Sequence, residues 1–552
     1  MTGPTSWGIF SLPLGTPSDL PFILMVTMKV LISDPMAEDG VAYLRQRAEV
    51  DVRTGMSPEE LIRIIPEYDA LVVRSETRVT AEVIEAGARL QVVGRAGVGI
   101  DNIDVAAATR RGIVVVNAPT GNNVAAAEHT IAMMLAMARQ IPQAYTSLRK
   151  GEWKRSRFMG VELRGKTLGV VGLGRIGTEV ARRAQGLEMR VIAFDPYLSV
   201  EHAEKLGVEA MGLDELLQRA DFVTLHVPLT AQTTGLIGAE QLRRMKPTAR
   251  LINCARGGIV DEGALLEALD QGVIAGAALD VFSREPLAAD SPLLRHDKVV
   301  VTPHLAGSTF EAQVEVALDV AEQIVAVLQG RSARYAVNAP VISPEAMSVL
   351  GPYMDLAGKL GSLATQISDG QLRSIEVTYA GEIADLDTSP LKAMVIKGLL
   401  QPILAEEINL VNAPVIARGR GLDVVERKTA QVNNYSNLIT VQVDTDSSSH
   451  AVAGTTMLGE PHLVRVDRYW VDVVLAGGTM LFSYHRDRPG MIGHVGTVLG
   501  QANVNISFMA VGRLAPKGEA LMVIGVDDPV GPDLVEKLQA VPDIHSIRTA
   551  KI

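Results

Sequence analysis

The run Gly172-Leu173-Gly174-Arg175-Ile176-Gly177 constrains this chain more than any other segment. It follows the apolar stretch Thr167 to Val171, which reads as a strand, and leads into Thr178 to Gly186, whose pattern predicts a helix. Glycines at that junction let the backbone turn tightly and approach a pyrophosphate. The anion then meets the free N–H groups and positive end of the helix. A second strand, Arg190 to Phe194, ends in Asp195, about 20 residues on, where a carboxylate bonds ribose hydroxyls and repels a 2′-phosphate. The pattern demands a parallel α/β sheet of the dinucleotide-binding kind and favours NAD over NADP.

Three further strand-like runs each precede a residue with chemistry. Ala249 to Asn253 leads to Arg256, Ala277 to Val281 to Glu285, and Val299 to Thr302 to His304. Ligands of open α/β sheets gather at the carboxyl ends of strands, so the three can converge. A guanidinium grips a carboxylate with two parallel hydrogen bonds, and an imidazole held by a carboxylate takes a hydroxyl proton. The set suits oxidation of a 2-hydroxy acid. Arg74, ending the run Leu71 to Arg74, adds a fork suited to a phosphate.

Val72-Val73-Arg74-Ser75, Gly94 to Asn102, Trp153-Lys154-Arg155, the glycine motif, Asn253 to Gly263, Gly276 to Phe282 and Pro303-His304 together carry a resemblance. They resemble the D-isomer-specific 2-hydroxyacid dehydrogenases and, among these, the long D-3-phosphoglycerate dehydrogenase group, from about Met28 to the C-terminus. The resemblance implies an α/β chain with two Rossmann-like domains, then an α+β intervening domain and a ferredoxin-like βαββαβ ACT domain. The expected division is 28–125 with 309–337 for substrate, 126–308 for NAD, 345–478 intervening and 479–552 ACT. Arg256, Glu285 and His304 would be catalytic. Substrate would meet Arg74, Arg95, Gly97, Val98, Gly99, Asn102, Arg256 and Arg155, the last, with Lys154 beside it, coming from a neighbouring subunit.

The same resemblance implies NAD contacts from Val98, Gly172, Gly174, Arg175, Ile176, Gly177, Asp195, Val227, Pro228, Cys254, Ala255, Arg256, Asp280, His304, Ala306 and Gly307, with no metal. Where the family commonly has His-Leu-Gly-Ala, this chain reads His304-Leu305-Ala306-Gly307, which alters the backbone expected there. The implied reaction converts 3-phospho-D-glycerate and NAD to 3-phosphooxypyruvate and NADH, the first step of serine biosynthesis. Two alternatives stay open at this point: a dehydrogenase for another D-2-hydroxy acid, such as glycerate or 2-hydroxyglutarate, and a non-enzymatic NAD-sensing protein.

Asn338 to Pro344 reads as a linker. Beyond it, strand-like alternation in Ser374 to Tyr379, Leu438 to Val443 and His462 to Val466 accompanies a helical stretch near Pro390 to Gln401. Arg418, Arg420, Arg427 and Lys428 form a basic cluster there, either a surface charge run or an anionic effector site. From Thr479 the pattern is strand, turn, helix, strand, strand, helix, strand. Its ACT resemblance implies an L-serine site at His485, Asp487 and Asn505 between paired copies. The plainer reading makes His485 and Asn505 turn residues of a domain that only dimerises.

A formal charge of −11 over 552 residues argues against nucleic acid or an anionic membrane as the main partner. The single cysteine, Cys254, precludes an intramolecular disulfide and fits a reducing compartment. Before Lys29 the chain has no lysine or arginine and is broken by Pro4, Pro13, Pro17 and Pro21, unlike a secretory signal. Met1 to Thr27 is expected to be a poorly ordered extension, or the true start is Met25 or Met28. The long apolar run Asn122 to Arg139 carries Glu128 and His129, too polar for a membrane span. A cytoplasmic homo-oligomer, a tetramer by preference, is expected.

Overall fold

The computed structural model describes residues 28–432 and 434–552, so the expected N-terminal extension lies outside the described residues. The first sheet contains β1 (Lys29–Ile32), β2 (Glu49–Val52), β3 (Ala70–Val73), β4 (Val92–Arg95) and β5 (Val114–Asn117) in the order β2-β1-β3-β4-β5. All its pairings are parallel. Helices cover both faces, which is why β3 and β4 read as continuous apolar runs rather than alternating ones. One covering helix, Phe310–Leu328, comes from far along the chain, packing Val316, Val320 and Ile324 against Val30, Ile32 and Val72.

The second sheet holds β6 (Thr167–Val171), β7 (Arg190–Phe194), β8 (Glu209–Ala210), β9 (Phe222–Leu225), β10 (Arg250–Asn253), β11 (Gly276–Leu279) and β12 (Val299–Val301). Its order is β12-β11-β10-β9-β6-β7-β8, again wholly parallel. Between the two sheets in the chain comes the helix Asn123–Ala138, whose Met133, Met134 and Met137 pack with Leu168, Val170 and Ile252. The glycine-motif helix spans Arg175–Gly186, three residues longer at its start than the sequence pattern indicated. Extended Gly174 is its N-cap, so the turn and the first helical residues share the motif.

Next come β13 (Leu372–Gly381), β14 (Asp423–Thr429), β15 (Asn437–Thr445), β16 (Ser449–Met457), β17 (Glu460–Val466) and β18 (Tyr469–Val474), ordered β14-β13-β15-β16-β17-β18. Helices Pro344–Gln366 and Ser389–Leu400 pack against this sheet's apolar face. The first of them, 23 residues long, begins where the linker was expected to end, and the sequence reading missed it. Pro352 inside it argues against a helix on propensity alone. Tertiary packing overrides that: Leu356, Leu360 and Leu363 are fully buried, each burial contributing roughly 1.5–3 kcal/mol. Glycines allow close approach of the two helices, since a Cβ on Gly361 would lie 2.2 Å from the Val395 carbonyl oxygen.

The last sheet, β19 (Thr479–Arg486), β20 (Ile506–Arg513), β21 (Glu519–Val526) and β22 (Ile544–Lys551), has the order β20-β21-β19-β22 and is antiparallel throughout. With helices Met491–Gln501 and Pro532–Gln539 it forms the expected βαββαβ unit. Its opposite face is not free. Phe482, Leu521 and Val523 enter the same apolar core as Leu356 and Leu360, so the last two sheets share one core. Among the described residues, no helix is long and apolar enough to cross a membrane.

Candidate active site

β10, β11 and β12 are neighbours in the second sheet, and Arg256, Glu285 and His304 all follow their carboxyl ends. His304 Nδ1 lies 2.7 Å from Glu285 Oε2, and Glu285 Oε1 accepts the Phe282 N–H at 3.0 Å. Burial pushes the Glu285 carboxyl up, but the donors from His304 and Phe282 more than offset it and hold the group below its usual range. An ionised acceptor fixes the proton on Nδ1 and leaves Nε2 as the base. His304 has φ +53°, a left-handed conformation costing a non-glycine residue about 1–3 kcal/mol, so its surroundings must hold it there.

Those surroundings centre on Asp280. Its backbone oxygen accepts the His304 N–H at 2.8 Å. Its carboxylate accepts Leu305 N at 2.8 Å, Ala306 N at 2.9 Å and the Thr302 hydroxyl at 2.6 Å. Asp280 is wholly buried, which opposes ionisation, yet His129, Thr302 and Leu305 together keep its carboxyl below the usual range. Asp280, expected at the cofactor, has a structural role visible here: it braces the loop that carries His304, Ala306 and Gly307. Sequence reasoning missed Thr302 and His129 as its partners, because neither lies near Asp280 in the chain.

Arg256 is presented by Asn253, whose side chain donates to the Arg256 carbonyl at 2.9 Å and accepts Ala255 N at 3.1 Å. Its Nε lies 3.2 Å from Asp101 Oδ2, a partner the sequence reading did not foresee. Asp101 is largely exposed, so this ion pair is worth at most about 1 kcal/mol and is readily exchanged for an incoming carboxylate. Gly99 permits the approach, since a Cβ there would lie 2.1 Å from Arg256 Nη2. Val98, in the same loop, accepts an Asn117 side-chain hydrogen bond at 2.5 Å, and Gly97 faces the Arg95 guanidinium.

Arg95 and Arg74 complete a cationic group with Arg256. Burial first, and then the nearby Arg256 and Arg74 charges, push the Arg95 guanidinium down to about 10. Arg95 Nε donates to the Arg74 carbonyl, which also receives the Asn102 side chain at 2.7 Å. Arg74 Nη1 bonds Pro35 O at 3.0 Å, while its buried Nε has no partner among the described residues. Buried Asp34 holds this strand end by accepting from the backbone of Arg74, Glu76 and Thr77. The result is a group of three cations in which one buried donor, Arg74 Nε, is left unpaired.

Arg155 is not brought to this cluster within its own chain. Arg157, in the same short turn, pairs with Asp297 ahead of the amino end of β12, whereas the cluster lies at carboxyl ends. Lys154 pairs with Glu152. In the basic cluster of the third sheet, Arg420 pairs with Glu406, Arg427 with Glu376, and Lys428 bonds Leu386 O, which favours the surface charge run.

The glycine turn fits a dinucleotide. Gly172 has φ +93°, and a Cβ on Gly177 would strike the Gly172 carbonyl oxygen at 2.1 Å. Around Gly174 the space is open, and no side chain caps the helix start, so the N–H groups of Arg175 and Ile176 are available to a pyrophosphate. Asp195 holds the turn through Leu173 N at 3.0 Å and accepts Tyr197 N at 2.9 Å, each oxygen keeping a lone pair for ribose. Val227, beside Gly172, and Pro228 form the adjoining wall after β9. The neighbouring His226 is half-buried, and desolvation pushes its imidazole down to about 4. Burial, with Asp280 nearby, pushes the Cys254 thiol up to about 12, so it is no nucleophile.

The three residues expected to hold an effector do not meet in one chain. His485 pairs across with Ala520, itself opposite Arg513, whereas Asn505 adjoins Ile506, opposite Val526 and so level with Thr479. His485 and Asn505 therefore lie at opposite ends of the last sheet, roughly 20 Å apart at the usual rise per strand residue. Buried His485 bonds the Ser483 carbonyl, Asp487 accepts from Lys517 N and Arg513, and Asn505 donates to Asp527. Beside His485, the Tyr484 hydroxyl donates to Asp467 Oδ2 at 2.7 Å, and Asp467 also bonds His450 at 3.1 Å. This trio joins the last two sheets next to the His485 turn.

Three family profiles match in order: D-isomer specific 2-hydroxyacid dehydrogenase, NAD binding domain, over residues 131–306; D-3-phosphoglycerate dehydrogenase intervening domain over 349–467; and ACT domain over 479–543. A D-3-phosphoglycerate dehydrogenase of Archaeoglobus fulgidus is 49% identical over 514 residues, covering 93% of this chain and 97% of its own. One from Bacillus subtilis is 41% identical, covering 94% and 99%. Among solved structures, the D-lactate dehydrogenase of Aquifex aeolicus complexed with NAD and lactic acid superposes with a TM-score of 0.52 at 28% identity, covering 56% of this chain and 99% of that one.

Proposed function

The chain belongs to the D-3-phosphoglycerate dehydrogenases, and from that premise we propose how its residues oxidise 3-phospho-D-glycerate to 3-phosphooxypyruvate, the first step toward L-serine. The observation that carries the reading is the Glu285–His304 pair at the same strand ends as Arg256, which clusters with Arg95 and Arg74. Arg256 exchanges Asp101 for the substrate carboxylate, and Arg74 with Arg95 takes the phosphate. His304 Nε2 accepts the proton of the 2-hydroxyl, and the Glu285 carboxylate stabilises the imidazolium that forms. NAD, when bound on the glycine turn, supplies the two-electron acceptor for this chemistry. Asp195, Gly174 and the N–H groups of Arg175 and Ile176 hold it, and the loop braced by Asp280 closes its other side.

We also infer that L-serine binds between two copies of the C-terminal sheet, Asp487 of one copy acting with Asn505 of the other, in a homotetramer of the cytoplasm. Arg155 would act on the phosphate from such a neighbouring copy. The test of substrate is a panel with purified full-length protein and NAD, following NADH absorbance. Turnover of 3-phosphoglycerate far above glycerate, lactate and 2-hydroxyglutarate is expected; equal or greater turnover of an unphosphorylated acid would overturn the phosphate reading.

A further inference from the structure

His129 lies on the helix Asn123–Ala138, which follows the first sheet in the chain and packs on the second, and it has so far appeared only as a partner of Asp280, with no role in the reaction given to it. Its Nε2 is 3.2 Å from Thr302 Oγ1 and 3.3 Å from Asp280 Oδ1. Thr302 has one hydroxyl proton and donates it to Asp280 Oδ1 at 2.6 Å. Between His129 and Thr302 the donor is therefore the imidazole, so Nε2 carries hydrogen and points at the buried carboxylate. The consequence reaches the reacting groups. Asp280 receives Leu305 N and Ala306 N on its two oxygens and His304 N on its backbone carbonyl, so its orientation sets the loop that presents His304.

A wholly buried carboxylate needs its donors, because each one lost leaves charge unpaired in a medium that cannot solvate it. Three of the donors to Asp280 come from the loop itself. His129 is the one that comes from elsewhere, and the helix that carries it starts at Asn123, just past the Pro119–Gly121 segment that follows β5. Arg175 of the glycine motif donates to Pro119 O in that same segment. A side chain on this helix thus ties the placement of His304 to the connection between the two sheets.

We propose that His129 is a positioning residue of the reaction: by donating to Asp280 and Thr302 it holds the left-handed turn at His304 in register with the helix that carries it. This rests on His304 as the acid/base. In the full-length enzyme, His129→Leu should lower kcat at least tenfold while KM for 3-phosphoglycerate and Kd for NADH, read by fluorescence, change less than threefold. His129→Gln, whose amide nitrogen reaches to the position of Nε2, should recover most of kcat, and the shorter His129→Asn should not. Wild-type kcat in the leucine variant, or glutamine and asparagine variants with equal kcat, would overturn the proposal; if the leucine variant does not fold, the latter comparison decides alone. Failure of the underlying reading is seen separately, as turnover surviving in His304→Ala.

Discussion

Arg256, Glu285 and His304 leave three adjacent strands at the same end of a parallel sheet, whereas His485 and Asn505 lie at opposite ends of an antiparallel one. The two regions come from motifs of similar length and differ in what the fold does with them. Parallel strands return every carboxyl end to one side, so residues that follow successive strands meet within a chain. Antiparallel strands alternate their ends, so a residue closing one strand and a residue opening the next but one are held apart. A catalytic centre can then be complete in one copy, while a ligand that uses both ends of the last sheet has to draw on two.

The sharpest break of this comparison is on the catalytic side. His304→Ala should lower kcat by about 10²- to 10⁴-fold with NADH binding retained, as expected for a positioned acid/base within one chain. Its partner gives a signed pH test. The Glu285 carboxyl is held below its ordinary value, so it stays ionised through neutral pH and its contribution disappears only as pH falls through that lowered value. Glu285→Gln removes the charge that favours the imidazolium, so the acid limb of kcat/KM should move to lower pH; an unmoved limb would break the pair.

Arg74→Ala comes next in size. Losing a hydrogen bond to a charged group costs about 1.5–3 kcal/mol, so KM for 3-phosphoglycerate should rise roughly tenfold to a hundredfold. Unphosphorylated 2-hydroxy acids should be affected much less, and equal losses would show that Arg74 only secures the loop with Asp34 and Pro35.

The split effector site makes a complementation prediction. Asp487→Ala and Asn505→Ala should each abolish serine binding in calorimetry. In a two-fold pair each site takes Asp487 from one copy and Asn505 from the other, so a mixed pair keeps one intact site. Co-expressed variants pairing at random should regain about a quarter of the wild-type sites. No recovery would mean that the site lies within one chain, and the contrast between the two regions would collapse.

The smallest expected effect is at the joint between the last two sheets. Tyr484→Phe removes one donor to Asp467, a change of about 1 kcal/mol, while leaving the His485 turn in place. Serine should still bind, but the feedback inhibition we infer for it should weaken severalfold; unchanged inhibition would show that the signal leaves the effector region by another route.

Much of the catalytic half was legible beforehand. The runs Thr167 to Val171 and Arg190 to Phe194 coincide with β6 and β7, and the strands before Arg256, Glu285 and His304 were located to within two residues. Strands buried on both faces are apolar runs bounded by polar turns, a signal contained in the segment itself. The helix Pro344–Gln366 was not legible, because its interior proline and glycines argue against it locally and only its partner helix and sheet make it pay.

The sequence by itself determined the parallel sheets, the glycine turn with Asp195, and which side chains stand at the strand ends, since each depends on residues a few positions apart. Tertiary structure alone decided that Asp280 is buried as a brace, that His129 and Thr302 serve it, that Asp101 pairs with Arg256, and that His485 and Asn505 stand at opposite ends of their sheet. The contacts among these join residues from 22 to 173 positions apart. Periodicity states which face of an element is apolar, but only packing chooses which distant polar group it meets.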